Sequence, residues 1–132
     1  MTAGRIAPAN RKTALIDRIR ALLRAANYIS FVELRQLNGF RGDLRLHVEG
    51  NENLIFWTGI SAEAYEALSA LRAGGEAHFE PCSSLLVYLA DGGALSLPVA
   101  KTARHFERPH WLPVTLCRGS SQRAQVRATR DT

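Results

Sequence analysis

The sequence predicts an α+β fold with three helices and an antiparallel β-sheet of about five strands. Apolar residues recur at helical spacing near the N-terminus, alternate with polar residues after residue 43, and later form short runs separated by turn residues. A chain of 132 residues with 46% hydrophobic and 22% charged residues is typical of one globular domain. We therefore predict a flexible N-terminus at residues 1–10, a single α+β domain at residues 11–117 and a disordered basic tail at residues 118–132.

The first predicted helix covers residues 13–26, where six apolar side chains follow the three- and four-residue spacing of one helical face. They are Leu15, Ile16, Ile19, Leu22, Leu23 and Ala26. The solvent face and the preceding turn are basic and carry Arg11, Lys12, Arg18, Arg20 and Arg24. The helix is therefore predicted to be amphipathic, with a positively charged outer side.

A second, short helix is predicted at about residues 31–37, because Ser30 and Glu33 form a capping box. Residues 44–49 then alternate Leu, Arg, Leu, His, Val and Glu, which is the pattern of a strand with one buried face. A Gly-Asn-Glu-Asn turn and the apolar run at residues 54–57 complete a predicted hairpin.

A third helix is predicted at residues 62–73, between the N-cap residue Ser61 and a Gly-Gly pair. Three short strands are predicted at residues 76–80, 85–89 and 94–99. The short turns between them predict antiparallel pairing. Residues 111–117 are predicted to form an edge strand or a packed extended arm, because Pro113 interrupts their apolar run.

Positive charge is concentrated at the two ends of the chain. Residues 1–26 carry six cations and one acid, residues 101–132 carry seven cations and two acids, and residues 27–100 carry four cations and nine acids. Basic segments attract polyanions, and chain ends often lie close together in a folded domain, so nucleic acid is the predicted partner. The predicted phosphate contacts are Arg11, Lys12, Arg18, Arg20, Arg24, Lys101, Arg104, Arg108 and Arg118.

The order of helix, short helix, hairpin, helix and strands loosely resembles that of a winged-helix DNA-binding domain. The residues that carry the resemblance trace a helix leading into a wing-like hairpin: Leu68, Leu71, Gly75, Ala77, Phe79 and Tyr88. A winged-helix domain would read DNA with the helix at residues 62–73, where Glu63 and Glu66 would be repelled by phosphate. We therefore place the predicted contacts on the first helix and on the segment after Lys101.

These observations predict a regulatory or accessory protein that binds nucleic acid, with DNA as the first candidate. Phe106 and Trp111 are candidates for base stacking, although the apolar residues after Trp111 are typical of a core position. One alternative is a protein-interaction module that docks a partner through the helix at residues 62–73 or the strand at residues 111–117. The other is a small metal-independent ribonuclease that would use Arg104, His105, Arg108, His110 and Asp91.

Neither a cofactor nor a metal is predicted. The histidine and cysteine residues are spaced more widely than the usual zinc-ligand pairs. They are His78 with Cys82, His105 with His110, and Cys117. The first 12 residues hold no apolar stretch that could serve as a signal-peptide core, and no apolar run approaches the roughly 18 residues of a membrane span. We therefore predict a cytoplasmic protein with free thiols and no membrane contact.

Overall fold

The computed structural model of the protein describes residues 8–26, 28–80, 88, 95–120 and 126–130. Within these residues it has a mixed α+β fold with three helices and seven strands. The helices are α1 (Pro8–Ala25), α2 (Phe31–Leu34) and α3 (Ala62–Ala73). The strands are β1 (Tyr28–Ile29), β2 (Arg41–Val48), β3 (Asn51–Ile60), β4 (Ala77–Glu80), β5 (His110–Trp111), β6 (Thr115–Arg118) and β7 (Val126–Arg130). None of the helices described is long and apolar enough to cross a membrane.

α1 buries one apolar face, as the helical spacing predicts. Leu15, Ile19 and Leu23, each four residues apart, lie in the core, and α1 packs beside α3. The helix begins at Pro8, within the stretch predicted to be a flexible N-terminus. Proline suits the first turn of a helix, because its fixed φ is helical and the first N–H groups have no intrahelical partner.

α2 is shorter than predicted and ends at Leu34. Ser30 caps it, since its Oγ accepts a hydrogen bond from the Glu33 N–H at 3.3 Å. The Gln36 N–H then donates to Glu33 O, and the Leu37 N–H donates to Leu34 O. This three-residue spacing belongs to tight turns, so the α-helix gives way to a turn before β2.

α3 has the predicted range of residues 62–73. Its cap, Ser61, accepts a hydrogen bond from the Ala64 N–H at 3.0 Å and donates one to Gly39 O at 2.7 Å. The cap therefore also ties the start of α3 to the turn before β2. The buried side of the helix consists of small and apolar residues: Ala64, Ala67, Leu68 and Leu71.

The strands form two sheets, whereas the sequence predicts a single sheet of about five strands. The first sheet has the order β1-β6-β4 and is antiparallel. The second has the order β5-β3-β2-β7, in which β5 is parallel to β3 and the other pairs are antiparallel. Pro113 lies between β5 and β6 and has no N–H for a ladder. The apolar run at residues 111–117 therefore divides there into one strand for each sheet.

The winged-helix-like order is not confirmed. That arrangement needs a hairpin directly after α3, whereas β4, which follows α3, pairs with β6. Of the strand predicted at residues 94–99, Val99 forms an isolated bridge with Trp111. The strand predicted at residues 85–89 lies outside the described residues, apart from Tyr88.

β7 lies within the stretch predicted to be a disordered tail. It pairs with β2 in regular antiparallel register. Val126 and Ala128 face the core, while Arg127 and Thr129 are exposed. This alternation is the same two-residue period that identifies β2, but two small apolar residues among polar ones make a weak signal. The pairing with β2 is what orders the strand.

An aromatic cluster lies at the centre of the core. Trp57 stacks on Phe31 at 5.7 Å and on Tyr88 at 5.4 Å between ring centroids, and Trp111 meets both Trp57 and Tyr88 edge-on. The Tyr88 hydroxyl accepts a hydrogen bond from the Phe31 N–H at 3.1 Å and donates one to Val114 O at 2.6 Å. One buried side chain therefore satisfies backbone groups in α2 and in the segment before β6.

We expect Tyr88→Phe to lower the free energy of unfolding by about 2 kcal/mol, because a buried N–H and a buried carbonyl lose this partner. Urea unfolding followed by tryptophan fluorescence measures the change. Tyr28→Phe is the matched control, since Tyr28 is 57% exposed and its hydroxyl is not required for packing; its effect should stay below about 0.5 kcal/mol. Equal losses in the two variants would contradict the bridging role of Tyr88.

Candidate nucleic-acid interface

The basic residues of α1 divide into two groups. Arg11 Nη2 lies 3.0 Å from Glu63 Oε1, and Arg20 makes a two-pronged contact with both Glu76 oxygens at 2.9 Å. These two arginines therefore hold α1 to acids at and after α3. The other three predicted contacts on α1 form no ion pair among the described residues: Lys12 is half-buried, whereas Arg18 and Arg24 are exposed.

The C-terminal strand repeats this pairing. Arg127 Nη2 lies 2.7 Å from Glu49 Oε1, and Arg130 Nε lies 3.7 Å from Asp43 Oδ2. With the two pairs of α1, four arginines from the basic ends are matched by acids from the acidic middle of the chain. Ion pairs between the basic ends and the acidic middle therefore neutralise part of the charge that the sequence keeps apart.

The pKa values of two of the paired carboxylates are lowered. The hydrogen bond from Arg20 holds the pKa of Glu76 below its ordinary value. The pKa of Glu63 is also lowered, first by a hydrogen bond from a backbone N–H and then by the bond from Arg11. Both groups are therefore ionised, and their ion pairs complete, at neutral pH.

Three arginines of the acidic middle behave in the opposite way. Arg35, Arg41 and Arg45 form no ion pair with a carboxylate in the part of the chain that the structure describes. The Nε atoms of Arg35 and Arg45 are shielded from solvent and lack a hydrogen-bond partner there. The unpaired cations thus lie partly in the region that the sequence marks as acidic.

The second sheet has a polar side opposite its core side. Because β2 and β7 pair without irregularity, side chains directly across the ladder share one face. Leu46 and Ala128 face the core, so the residues that alternate with them face outward. We call this surface the outer face; it comprises Arg45 and His47 on β2, Glu49 just after β2, and Arg127 and Thr129 on β7.

A basic arm, defined as residues 101–110, is attached to the start of β3. Asn51 Nδ2 donates to Arg104 O at 3.1 Å, and Asn53 Nδ2 donates to Phe106 O at 2.8 Å. These two amides fix the course of the arm's backbone. The arm carries three cations, Lys101, Arg104 and Arg108, against one acid. All three are exposed.

Three flat groups stack within the arm. The Arg104 guanidinium carbon lies 4.7 Å from the Phe106 ring centroid, which is within cation–π range. The imidazole of His110 stacks on the same ring at 3.8 Å and 16°. His110 Nδ1 also lies 2.9 Å from Arg108 O, so its orientation is held from the backbone.

A cleft of about 590 Å³ lies between the basic arm and the outer face. Phe106 is its aromatic wall, and its polar lining comes from both sides and includes two acids: His47, Glu49, Asn51, Glu52, Asn53, His105 and Arg127. Such a recess, with several converging polar groups and an aromatic side chain, has the chemistry of a binding site.

His47 is buried beside this cleft, with 3% of its surface exposed. Its Nδ1 lies 2.9 Å from Val48 O, and because a carbonyl oxygen only accepts hydrogen bonds, Nδ1 carries a proton. Its Nε2 is shielded and has no partner among the residues described. An unmet buried polar atom costs about 1–3 kcal/mol, so the fold retains a polar group here that simple packing does not explain.

The residues predicted to contact phosphate therefore do not all lie on one part of the fold. Lys101, Arg104 and Arg108 share the basic arm, whereas Arg118 lies on β6 in the other sheet. Sequence reasoning missed the two asparagines that hold the arm, because the Gly-Asn-Glu-Asn run predicts only a turn. It also missed Arg45 and His47 as candidate site residues, although their alternation with leucine and valine places them on the face opposite the core.

The alternative sites have the following positions. β6 lies between β1 and β4, so both edges of that part of residues 111–117 are already paired, and Trp111 is 1% exposed. His78 contacts Glu80 at 3.1 Å and Gly119 O at 3.0 Å. Over the described ranges there is no group of three potential metal ligands. Cys82 and Asp91 lie outside those ranges.

Comparison of the chain with models of protein families, with curated proteins and with solved structures finds no match. The assignment of a function therefore depends on the chain's own residues. The cleft and the basic arm are the features described above that combine cations, flat side chains and a recess.

We expect Arg20→Glu to lower the urea midpoint of unfolding, because it places a carboxylate against Glu76 where the wild type has an ion pair. Adding Glu76→Arg should restore most of the loss by re-forming the pair in reverse. Arg24→Glu is the control, since Arg24 is exposed on the same helix and forms no ion pair among the described residues. If the double variant is no more stable than Arg20→Glu, the pair does not contribute to stability.

The same pair predicts a pH dependence. Because folding lowers the pKa of Glu76, its contribution is complete above the pKa of an unfolded glutamate and is lost as the pH falls through the folded-state pKa. Between about pH 5 and pH 3, we expect the wild type to lose more stability than Glu76→Gln. Urea midpoints measured across this range test it, and parallel curves for the two proteins would contradict the prediction.

Proposed function

We propose that this protein binds single-stranded nucleic acid in the cleft between the basic arm and the outer face. The observation that carries the proposal is the stack of Arg104, Phe106 and His110, in which Phe106 also lines the polar cleft. Binding of this kind fits a regulatory or accessory role, as the sequence predicts. The proposal moves the main contact from α1 to the arm.

The flat groups of the arm supply stacking surfaces. Unpaired bases stack on aromatic rings and on arginine guanidinium planes, and each such contact contributes about 1–3 kcal/mol. Phe106 is half-buried and engaged by both neighbours, so the planar groups of Arg104 and His110 extend its surface toward a ligand. A base can therefore join the stack without rearrangement of the core.

The positive charge that suits a phosphate backbone comes from the arm, because the cleft lining itself carries Glu49 and Glu52 against Arg127. Lys101, Arg104 and Arg108 are exposed and form no ion pair among the described residues, and Glu107 is the single acid of the arm. Arg127 lines the cleft, but its charge is balanced by Glu49. The arm therefore supplies the net positive charge, and the outer face supplies polar groups.

The shape of the site favours a single strand over a duplex. Duplex DNA is read by a convex element that enters a groove, and α1 would be that element here. Two of its five predicted contacts, Arg11 and Arg20, are already bound to carboxylates. A recess of about 590 Å³ can admit flexible nucleotides, and their unpaired bases can reach the stack.

We expect the protein to bind an oligothymidylate of about 15 nucleotides, labelled at its 3′ end, with an affinity that falls linearly with salt on logarithmic axes. Arg104→Gln with Arg108→Gln should weaken binding at least about tenfold at low salt, and reduce the slope by about 0.7 for each phosphate that is no longer neutralised. Phe106→Leu should weaken binding and leave the slope unchanged, because stacking releases no counterions. Fluorescence anisotropy measures all three effects.

The control for these variants is Arg18→Gln with Arg24→Gln, which removes the same charge from α1. We expect it to change the affinity less than about threefold, an effect typical of removing a distant, screened charge. A larger effect from the α1 variant than from the arm variant would place the interface on α1. Absence of binding to single strands at the lowest salt would overturn the proposal, and binding of duplex DNA alone would return the site to α1.

A further inference from the structure

We infer that a second cavity, where the turn after α2 meets β2 and β3, binds a phosphate monoester through the guanidinium groups of Arg35 and Arg41. The cavity has a volume of about 370 Å³ and is lined by Arg35, Arg41, Trp57, Thr58, Gly59 and Leu95. This site is separate from the cleft and extends beyond the function proposed above. Of the described residues that line it, two are cationic and none is acidic.

Arg35 has no counterion among the residues that the structure describes. It is half-buried, its guanidinium carbon lies 6.0 Å from the Trp57 ring centroid, and its Nε has neither solvent nor a hydrogen-bond partner among the described residues. An arginine does not lose its proton in a protein. The group therefore stays positively charged, and its remaining N–H groups can donate to an incoming anion.

Arg41 is held beside Arg35 through the backbone. Its Nε donates to Arg35 O at 3.2 Å, which leaves its two terminal nitrogens for a ligand. The start of β2 is also fixed by close packing, since a Cβ on Gly42 would lie 2.5 Å from Ser61 Cα. Glycine at this position lets the strand approach the start of α3, and so sets the place from which Arg41 extends.

The two arginines suit a ligand that carries two negative charges on a tetrahedral set of oxygens. Two guanidinium groups provide fork-shaped pairs of donors, which match phosphate oxygens better than they match a single-point anion. Thr58 also lines the cavity and carries a hydroxyl that can donate a hydrogen bond. Two positive charges with no carboxylate among the described lining residues favour a doubly charged phosphate over a singly charged carboxylate.

The cavity also has room for the organic part of an ester. Small-molecule sites commonly measure about 300–1,000 Å³, and this volume of about 370 Å³ exceeds what a bare phosphate fills. Trp57 and Leu95 provide apolar surface next to the arginines. The ligand is therefore a small organic phosphate, either free as a nucleoside monophosphate or present as the phosphorylated end of a strand.

The sheet register connects this cavity to the cleft. Arg45 lies directly across the ladder from Thr58 on one side and from Thr129 on the other. Thr58 lines the second cavity, and Thr129 lines the cleft. Arg45, which has no carboxylate partner in the described chain, therefore lies between the two, so that a strand bound in the cleft can place its phosphorylated end here.

The test is isothermal titration calorimetry on the full chain in phosphate-free, low-salt buffer. We expect adenosine 5′-monophosphate and inorganic phosphate to bind, and adenosine to bind at least about tenfold more weakly than its monophosphate. Arg41→Gln should weaken the monophosphate at least about tenfold, with an unchanged urea midpoint because Arg41 is exposed. Arg35→Lys, which keeps the charge and loses the fork, should also weaken it.

Arg108→Gln is the control, because it removes one charge from the arm and none from this cavity. If Arg41→Gln and Arg108→Gln weaken the monophosphate equally, or if neither phosphate nor the monophosphate binds the wild type, the inference is wrong. If Arg41→Gln lowers the urea midpoint, Arg35→Lys takes its place as the test variant. Its affinity for the monophosphate is then compared with that of Arg108→Gln at the same folded fraction, and equal weakening again means that the inference is wrong.

Oligothymidylates with a 5′-phosphate or a 5′-hydroxyl distinguish the two sources of the phosphate. If the strand end is the ligand, the phosphorylated strand binds more tightly, and Arg41→Gln removes the difference. If the free monoester is the ligand, the two strands bind alike while the monophosphate still binds. Arg104→Gln with Arg108→Gln should weaken both strands equally and spare the monophosphate, so failure of the cleft and failure of the cavity give different results.

Discussion

The packing of Trp57 positions both candidate sites. On one side Trp57 stacks on Phe31, the first residue of α2, and the same indole lies beneath the Arg35 guanidinium. On the other side it meets Trp111, whose indole N–H donates to Phe56 O at 3.1 Å. Trp111, which follows the basic arm directly, is therefore anchored in the core. The second cavity opens beside Trp57. Aromatic pairs contribute about 0.5–1.5 kcal/mol beyond the area they bury. Here they also hold the ring on which the Arg35 guanidinium lies.

Much of the fold follows from local patterns in the sequence. The apolar face of α1, the cap at Ser61 and the alternation around Leu46 each depend on residues within one element, so propensity and period predict them. The contacts that build the cleft do not have this property. Asn51 donates to a carbonyl 53 positions away, and Arg127 finds Glu49 at a separation of 78. No local pattern carries such information, because the partner is chosen by the packing of the two sheets.

The division of the apolar run at residues 111–117 shows the same limit. Its composition predicts a single extended element, and Pro113 indicates an interruption without saying where each half goes. In the folded chain β5 joins β3 in parallel, while β6 lies between β1 and β4. Parallel pairing to a strand more than 50 positions earlier requires a long connection, and the arm is its last part, held at the start of β3 by Asn51 and Asn53. The basic arm therefore lies beside the outer face as a consequence of the chain's topology.

The distribution of charge has a different meaning in the folded chain than in the sequence. Exposed ion pairs contribute little to stability, about 0–1 kcal/mol each, so the pairs of Arg11, Arg20 and Arg127 mainly neutralise charge. A buried N–H group without a partner is different, because folding removes it from water and gives it no hydrogen bond in return. Arg35 and Arg45 have such an Nε, and both lie in the stretch with negative net charge. Unpaired charge, rather than net charge, is therefore the better guide to candidate anion sites in this protein.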